Sequence, residues 1–447
     1  MLNAPKTFLC TLLLTLIAQP VFAQSDLDQR IDKQSASLLA TYKHLHQNPE
    51  LSTQEKETSA LLAGELRKMG YDVTDHFGQY DKPDLVSYGI VAVLRNGPGP
   101  TVMVRTDMDA LPVEERTNLP YASHVKVKRP DSEVGVMHAC GHDLHMTVFL
   151  GTAQMLVQLK DRWSGTVILI GQPAEEMISG AKALLRAGLY TKFPKPDYVL
   201  ALHDSAAVPA GKVSWHEGPM LAASDSVDIT IRGFGGHGAM PQATKDPIVI
   251  ASELVVQLQT VVSREMDPLV PTVITVGSFH AGTKHNIIPD EAHLQLTVRT
   301  MTPAQREKTL AAITRITNGV AATAGIPADH APIIQIGVDN VPATINDPAL
   351  TRRVAAALQQ SLGKENVLPG EPVMGSEDFS LYALQDPKPP ISIFWLGASD
   401  PAKLRDSQEH GTRLPGPHSS EFAPVPEPAI HTGVKAMTSA VLDLLKK

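Results

Sequence analysis

Hydrophobic and polar positions fall into distinct textures along the chain. Over residues 27–71 apolar residues recur at helical spacing, with Leu38, Leu39 and Leu45, then Leu61, Leu62, Leu66 and Met69, and Gly70 supplies a stop. Short apolar runs follow at 90–94, 101–105, 166–171 and 198–202, and helical patterns at 144–160 and 181–189 separate several of them. Strands buried on both faces read this way, so the pattern predicts an α/β fold with a mostly parallel, doubly covered sheet.

From about Ser224 the period changes to two. Val227, Ile229 and Ile231 alternate with polar residues, as do Ala292, Leu294, Leu296 and Val298, which marks strands with one buried face. Helical patterns at 247–262 and 303–322, with further strand candidates at 272–279 and 332–337, give the order β-α-β-β-α-β. This predicts a small α+β domain at 224–338, inserted between two halves of a larger domain at 24–223 and 339–447. After the insertion a helix is expected near 347–362, a strand at 391–396 and a last helix from about Ile430. Residues 400–428, rich in Pro, Gly, Ser and charge, read as an irregular surface stretch that nonetheless contains His418.

A length of 447 residues suits two domains, and 43% hydrophobic with 19% charged residues describes a soluble globular chain. The net charge of −8 argues against a nucleic-acid partner, because phosphate-backbone binding concentrates Lys and Arg. Lys6, the apolar run 8–18 and Val21-Phe22-Ala23 before Gln24 have the layout of an export signal over 1–23, too short to span a bilayer. No later apolar run approaches about 18 residues. A periplasmic or secreted mature protein is therefore expected, free of the membrane once the signal is removed.

Of the two cysteines, Cys10 lies within that signal, and Cys140 alone would enter an oxidising compartment without a disulfide partner. A free cysteine is commonly just a small buried hydrophobe. The neighbours of Cys140 argue otherwise.

Metal-capable side chains collect at the C-terminal ends of predicted strands. Asp107 and Asp109 follow one strand, Glu175 and Glu176 follow a second, and His203 ends a third. The cluster His138-Ala139-Cys140-Gly141-His142-Asp143 sits at the start of the helix near Leu144. In open α/β sheets that rim is where ligand sites form. Thiolate, imidazole and carboxylate suit divalent transition metals such as manganese or zinc, with cobalt or nickel as further options. Of two adjacent glutamates in a turn, one can bind metal while the other accepts a proton from activated water. Singly, a glutamate pair is usually a solvated face and a lone histidine a satisfied structural residue; it is their convergence that points to hydrolysis. His44, His46, His76, His124, His216 and His431 lack such support and read as structural or solvent-facing.

These residues resemble the amidohydrolase branch of the M20 metallopeptidase superfamily, which includes hippurate hydrolases, N-acyl-amino-acid amidohydrolases and auxin-conjugate hydrolases. The resemblance spans nearly the whole mature chain. It rests on His46-Gln47-Asn48-Pro49-Glu50-Leu51-Ser52, the run Arg105 to Pro112, His138 to Asp143, Gln172-Pro173-Ala174-Glu175-Glu176, Gly235 to Pro241, Asn286-Ile287-Ile288-Pro289-Asp290 and Gly375-Ser376-Glu377-Asp378-Phe379. It implies two divalent ions per subunit on Cys140, His142, Glu176, His203 and His418, with Glu175 as general base and Asp109 as a supporting acid. It also implies a homodimer in which the inserted domain serves as dimerisation or lid domain, His237 stabilising the oxyanion within its own subunit or across the interface. Asn286 and Arg299 would hold the substrate's amide and carboxylate. Gln242, where many relatives have histidine, and the irregular segments 79–88 and 400–417 depart from the family pattern, so acyl-group preference does not carry over.

The expected reaction is amide hydrolysis of an N-acyl amino acid by metal-activated water. A dipeptidase or carboxypeptidase acting on short peptides is the nearest rival. Cys140 acting as a nucleophile beside a histidine is a third reading. A non-catalytic binding module would show losses among the ligand or base positions, all of which are filled here.

Overall fold

A computed structural model describes residues 26–129, 132–337, 340–386 and 388–447. The expected export signal over 1–23 lies outside them, as does the expected domain join at 338–339.

The amphipathic N-terminal region forms three helices, Asp26–Asp32, Ser35–Gln47 and Lys56–Lys68, rather than one continuous stretch. The strands are β1 (Asp72–Phe77), β2 (Gly89–Asn96), β3 (Thr101–Asp107), the hairpin β4 (Lys126–Arg129) and β5 (Ser132–Gly135), β6 (Gly165–Gln172), β7 (Tyr198–Pro209), β8 (Val213–Trp215) and β9 (Gly218–Leu221). They continue with β10 (Ala223–Arg232), β11 (Gly236–His237), β12 (Thr272–Ala281), β13 (Ile287–Ile288), β14 (Glu291–Thr300), β15 (Ile333–Ile336), β16 (Thr344–Asn346), β17 (Val367–Pro369) and β18 (Ile391–Ser399).

Eight strands form the main sheet in the order β1-β2-β6-β3-β7-β18-β8-β17. Its centre, β6-β3-β7-β18, is parallel, while β1 with β2, β2 with β6, and β18 with β8 pair antiparallel. Every residue of β3 and β18 is buried, as the central strands of a sheet covered on both faces must be. One face packs on Leu144, Phe149, Leu156, Val434 and Met437 from the helices His142–Gln158 and Pro426–Leu444. The other packs on Ala181, Leu184, Phe379 and Tyr382.

The alternating strands form a separate four-stranded antiparallel sheet, β12-β14-β10-β15. In β14 exposed and buried residues alternate along its first half, and Leu294, Leu296 and Val298 pack against Leu254 and Ile313 of the helices Pro247–Thr260 and Pro303–Thr323. Asp246 and Thr302 cap these helices, each followed by proline in the first turn. The chain enters and leaves this unit side by side: Ser224 and Val341 exchange amide-to-carbonyl bonds of 2.9 and 3.0 Å. Among the described residues no helix is long and apolar enough to cross a membrane.

Two expectations need correction. Residues 400–428 are not irregular throughout, because Pro401–His410 is a helix whose N-terminus is capped by the Asp400 carboxylate and whose C-terminus is closed by Gly411 at φ 71°. Only Leu404 of that helix is buried, so its sequence carries no apolar stripe. The final helix starts at Pro426, four residues before the expected Ile430.

Candidate metal centre

The predicted rim forms as the strand order requires. Asp107 ends β3, Glu175 and Glu176 follow β6, and His203 lies within β7 beside Trp395 of β18, since β7 runs on to Pro209 instead of stopping at Leu202. Cys140 and His142 flank Gly141, the N-cap of the helix His142–Gln158. Gly141 has φ 73°, and a Cβ there would sit 2.6 Å from the Asp204 carboxylate, so both backbone conformation and space demand glycine. His418 arrives on the 411–425 loop with φ 68°, its amide donating to the Ala139 carbonyl at 2.7 Å.

Cys140, His142, Glu175, Glu176, His203 and His418 therefore converge. Cys140 Sγ is 3.5 Å from His203 Nε2, and Glu176 Oε1 is 3.5 Å from His418 Nε2 and 3.9 Å from His142 Nε2. The triplets Cys140–His142–His203, Cys140–Glu176–His418 and His142–Glu175–Glu176 each hold their ligand atoms within 4.8 Å of one another.

Hydrogen bonding sets the tautomers. His142 Nδ1 faces the Asp109 carbonyl at 2.7 Å and His203 Nδ1 faces the Asp204 carbonyl at 2.8 Å. A carbonyl only accepts, so each Nδ1 carries a proton and each Nε2 faces the cluster; burial opposes charge on His142, but Asp107, Asp109 and Glu176 raise it well above its ordinary value, a proton that a bound cation would displace. His142 Nε2 and Glu176 Oε1 are buried and have no hydrogen-bond partner among the described residues. Buried polar atoms are rarely left so. Burial also pushes the Cys140 thiol well above its ordinary range, and the carboxylates of Glu176 and Asp204 add to the effect. Unpartnered ligand atoms of an imidazole and a carboxylate, beside a thiol and a second carboxylate that burial holds back from ionising, are what a divalent cation would satisfy; the residues present fit that group.

Behind the cluster lies a dense polar layer. Asp109 accepts the amides of Glu175 and Glu176 at 3.1 and 3.0 Å and the Ser52 hydroxyl at 2.6 Å, so its carboxylate holds the glutamate turn rather than pointing into the cavity. Burial raises Glu175 well above the usual carboxylate range, reinforced by Glu377 and Glu176. Arg105, wholly buried, bonds Asp107 at 2.6 Å, Glu377 at 2.7 Å and Asp378 at 3.2 Å. His145 lies 2.7 Å from Asp107 and 3.1 Å from Asp204; burial opposes its charge, but Asp107 prevails and raises it to about 9. The sequence reading missed His145, Asp204, Glu377 and Asp378 as parts of this layer. For His145 and Asp204 the signal was adjacency, since His145 stands one turn past His142 and Asp204 directly follows His203; Glu377 and Asp378 offered no such local cue.

Cys140, Glu175, Glu176, His203, His418 and Arg299 line a cavity of about 850 Å³. Val208, Leu221, Val373, Met374 and Trp395 give it an apolar wall. Arg299 of β14 is half-buried and bonds the Ser376 hydroxyl, with no ion pair among the described residues. His237 and Asn286 do not line the cavity. They lie together on the β11–β13 ribbon, where the Gly238 amide donates to the Asn286 carbonyl at 2.9 Å, and His237 is exposed. Gln242 sits nearby in the short turn Pro241–Ala243.

Residues 103–442 match the family described as Peptidase family M20/M25/M40. The chain is 38% identical over 397 residues to the thermostable carboxypeptidase 2 of Saccharolobus solfataricus, spanning 88% of this chain and 92% of that protein. It is 38% identical over 341 residues to the hippurate hydrolase of Campylobacter jejuni, spanning 76% and 82% respectively. It also resembles, with a TM-score of 0.74 and 28% identity, a crystal structure from Bacillus subtilis described as a dinuclear metal binding peptidase from the M20 family, over 92% of this chain and 98% of that one.

Proposed function

From the premise that this chain belongs to peptidase family M20/M25/M40, whose relatives hydrolyse amide bonds, we propose that it is an exported hydrolase of N-acyl amino acids. The observation that carries this reading is the meeting of Cys140, His142, Glu176, His203 and His418 with two orphaned buried ligand atoms at their centre.

Those five residues would hold two divalent ions, manganese or zinc, which when bound acidify water and polarise a carbonyl. Glu175, beside them and on the cavity wall, would accept the proton of the attacking water at its carboxylate and deliver it to the nitrogen of the leaving amine. The turn 173–180 keeps that carboxylate aimed inward, and it tolerates no side chain at Gly180, where a Cβ would meet the Pro173 carbonyl at 1.6 Å. Arg299, which makes no ion pair among the described residues, would receive the carboxylate of the amino-acid part, and the apolar wall would receive the acyl group. His237 and Asn286, which do not line the cavity of their own chain, would complete the site of a second copy in a homodimer.

Replacing Glu175 with Gln tests the assignment. Turnover of N-acyl amino acids should fall about 10²–10⁴-fold while metal stoichiometry is kept; near-normal turnover would sink it. The carboxypeptidase relative supports a second reading, cleavage of peptides at a free C-terminus, through the same arginine. Comparison of acylated amino acids with unblocked dipeptides separates the two.

A further inference from the structure

The turn carrying Glu175 and Glu176 is anchored by a side chain that does not reach the cavity. Glu55 is completely buried, and its Oε1 accepts the amides of Ala174 at 2.8 Å and Thr53 at 2.9 Å. Both acceptor-bound residues have left-handed backbones, φ 50° at Ala174 and 68° at Thr53, a conformation that residues with a Cβ keep only where the surroundings impose it.

Three successive amides thus end on two buried carboxylates: Ala174 on Glu55, then Glu175 and Glu176 on the two oxygens of Asp109. The segment 52–55 supports both, since the Ser52 hydroxyl donates to Asp109. Ala174 is fixed from its other sides as well. Its carbonyl accepts the amides of Ser179 and Gly180 at 3.2 and 3.1 Å, and its methyl packs with Tyr80 and Ala183.

We infer that Glu55 is a positioning residue for the reaction: by anchoring the Ala174 amide it sets the direction in which the Glu175 and Glu176 side chains leave the turn. The inference rests on the roles proposed for those two glutamates. An incidental packing carboxylate would affect stability alone, whereas an aiming device must act on kcat, because proton-transfer geometry is felt in the transition state.

The test uses the full chain loaded with Mn²⁺ and the best-cleaved member of a panel of N-acyl amino acids and dipeptides. Glu55→Gln, which keeps an oxygen acceptor, should retain kcat within about threefold, whereas Glu55→Ala should lose about 10–100-fold in kcat with KM nearly unchanged. Mn²⁺ stoichiometry by isothermal titration should match wild type in both. Glu55→Asp, one methylene short of the amides, should lose kcat like the alanine variant and decides the matter if the alanine variant does not fold. Wild-type kcat in Glu55→Asp or Glu55→Ala overturns the inference, as does equal impairment of the Gln and Asp variants. If those variants match wild type while Glu175→Gln is dead, only the positioning role fails; if Glu175→Gln remains active, the assignment of the base fails instead.

Discussion

The imidazole of His46 lies 2.6 Å from the carboxylate of Asp143, and both side chains are sealed from solvent. Through this contact the helix Ser35–Gln47 is pinned to the first turn of the helix that begins at His142. Glu115 takes the other ring nitrogen at 3.0 Å. Removing the ring leaves two buried carboxylates without a cation, so His46→Ala should lose about 3–5 kcal/mol in urea unfolding. A loss below about 1 kcal/mol would show that the trio is not acting as a buried ion network.

The same trio predicts a pH dependence. Burial opposes the charged ring, but Asp143 and Glu115 outweigh it and raise His46 from 6.5 to about 10. A folded value above the ordinary one stabilises fully below pH 6.5 and fades as pH climbs through 10. Thermal midpoints should therefore decline over that interval in wild type, and the slope should flatten in His46→Gln. Equal slopes would exclude His46 as its source.

Arg299 is expected to act on binding. Arg299→Met should raise KM for N-acyl amino acids by about 10-fold or more with a smaller change in kcat, as loss of a charge-assisted contact predicts. The corresponding carboxamide substrates should lose little. If both substrate types suffer equally, the arginine supports the wall rather than the ligand.

Ile178 holds φ 52° while lining the cavity, a poor conformation for a β-branched residue. Ile178→Gly should relieve strain of about 1–3 kcal/mol, partly offset by greater freedom of the unfolded chain, so a net rise in thermal midpoint is expected. A fall would mean that the side chain's packing outweighs the backbone strain.

Chelation offers the most direct check of the centre. Stripped protein should melt earlier, and Mn²⁺ or Zn²⁺ at about 100-fold above the dissociation constant should return about 2.7 kcal/mol. Cys140→Ala should shrink that increment. Indifference of the melting curve to chelator and metal alike would argue against a cation in the cluster.

Much of this was legible in the chain itself. Asp107, Glu175 and His203 stand at or beside the ends of apolar runs, so the strand order alone carries them to one rim. The polar layer behind was less visible, because the partners of Arg105 come from position 107 and from 377 and 378, a separation that local pattern does not span. His46 read as an isolated histidine for the same reason, its partners standing at 115 and 143. The helix Pro401–His410 was hidden by its polarity even though Asp400-Pro401 and Gly411 bracket it with ordinary start and stop signals.

The place of β18 has a consequence for biogenesis. It is the last strand made, yet it lies inside the main sheet between β7 and β8, and its partners precede the inserted unit in the chain. More than a hundred intervening residues must be in place before that gap can be filled. The insertion, whose core is sequence-contiguous, can collapse first, and the nascent sheet waits with β7 unpaired along one edge, the stage at which the polypeptide is most open to aggregation.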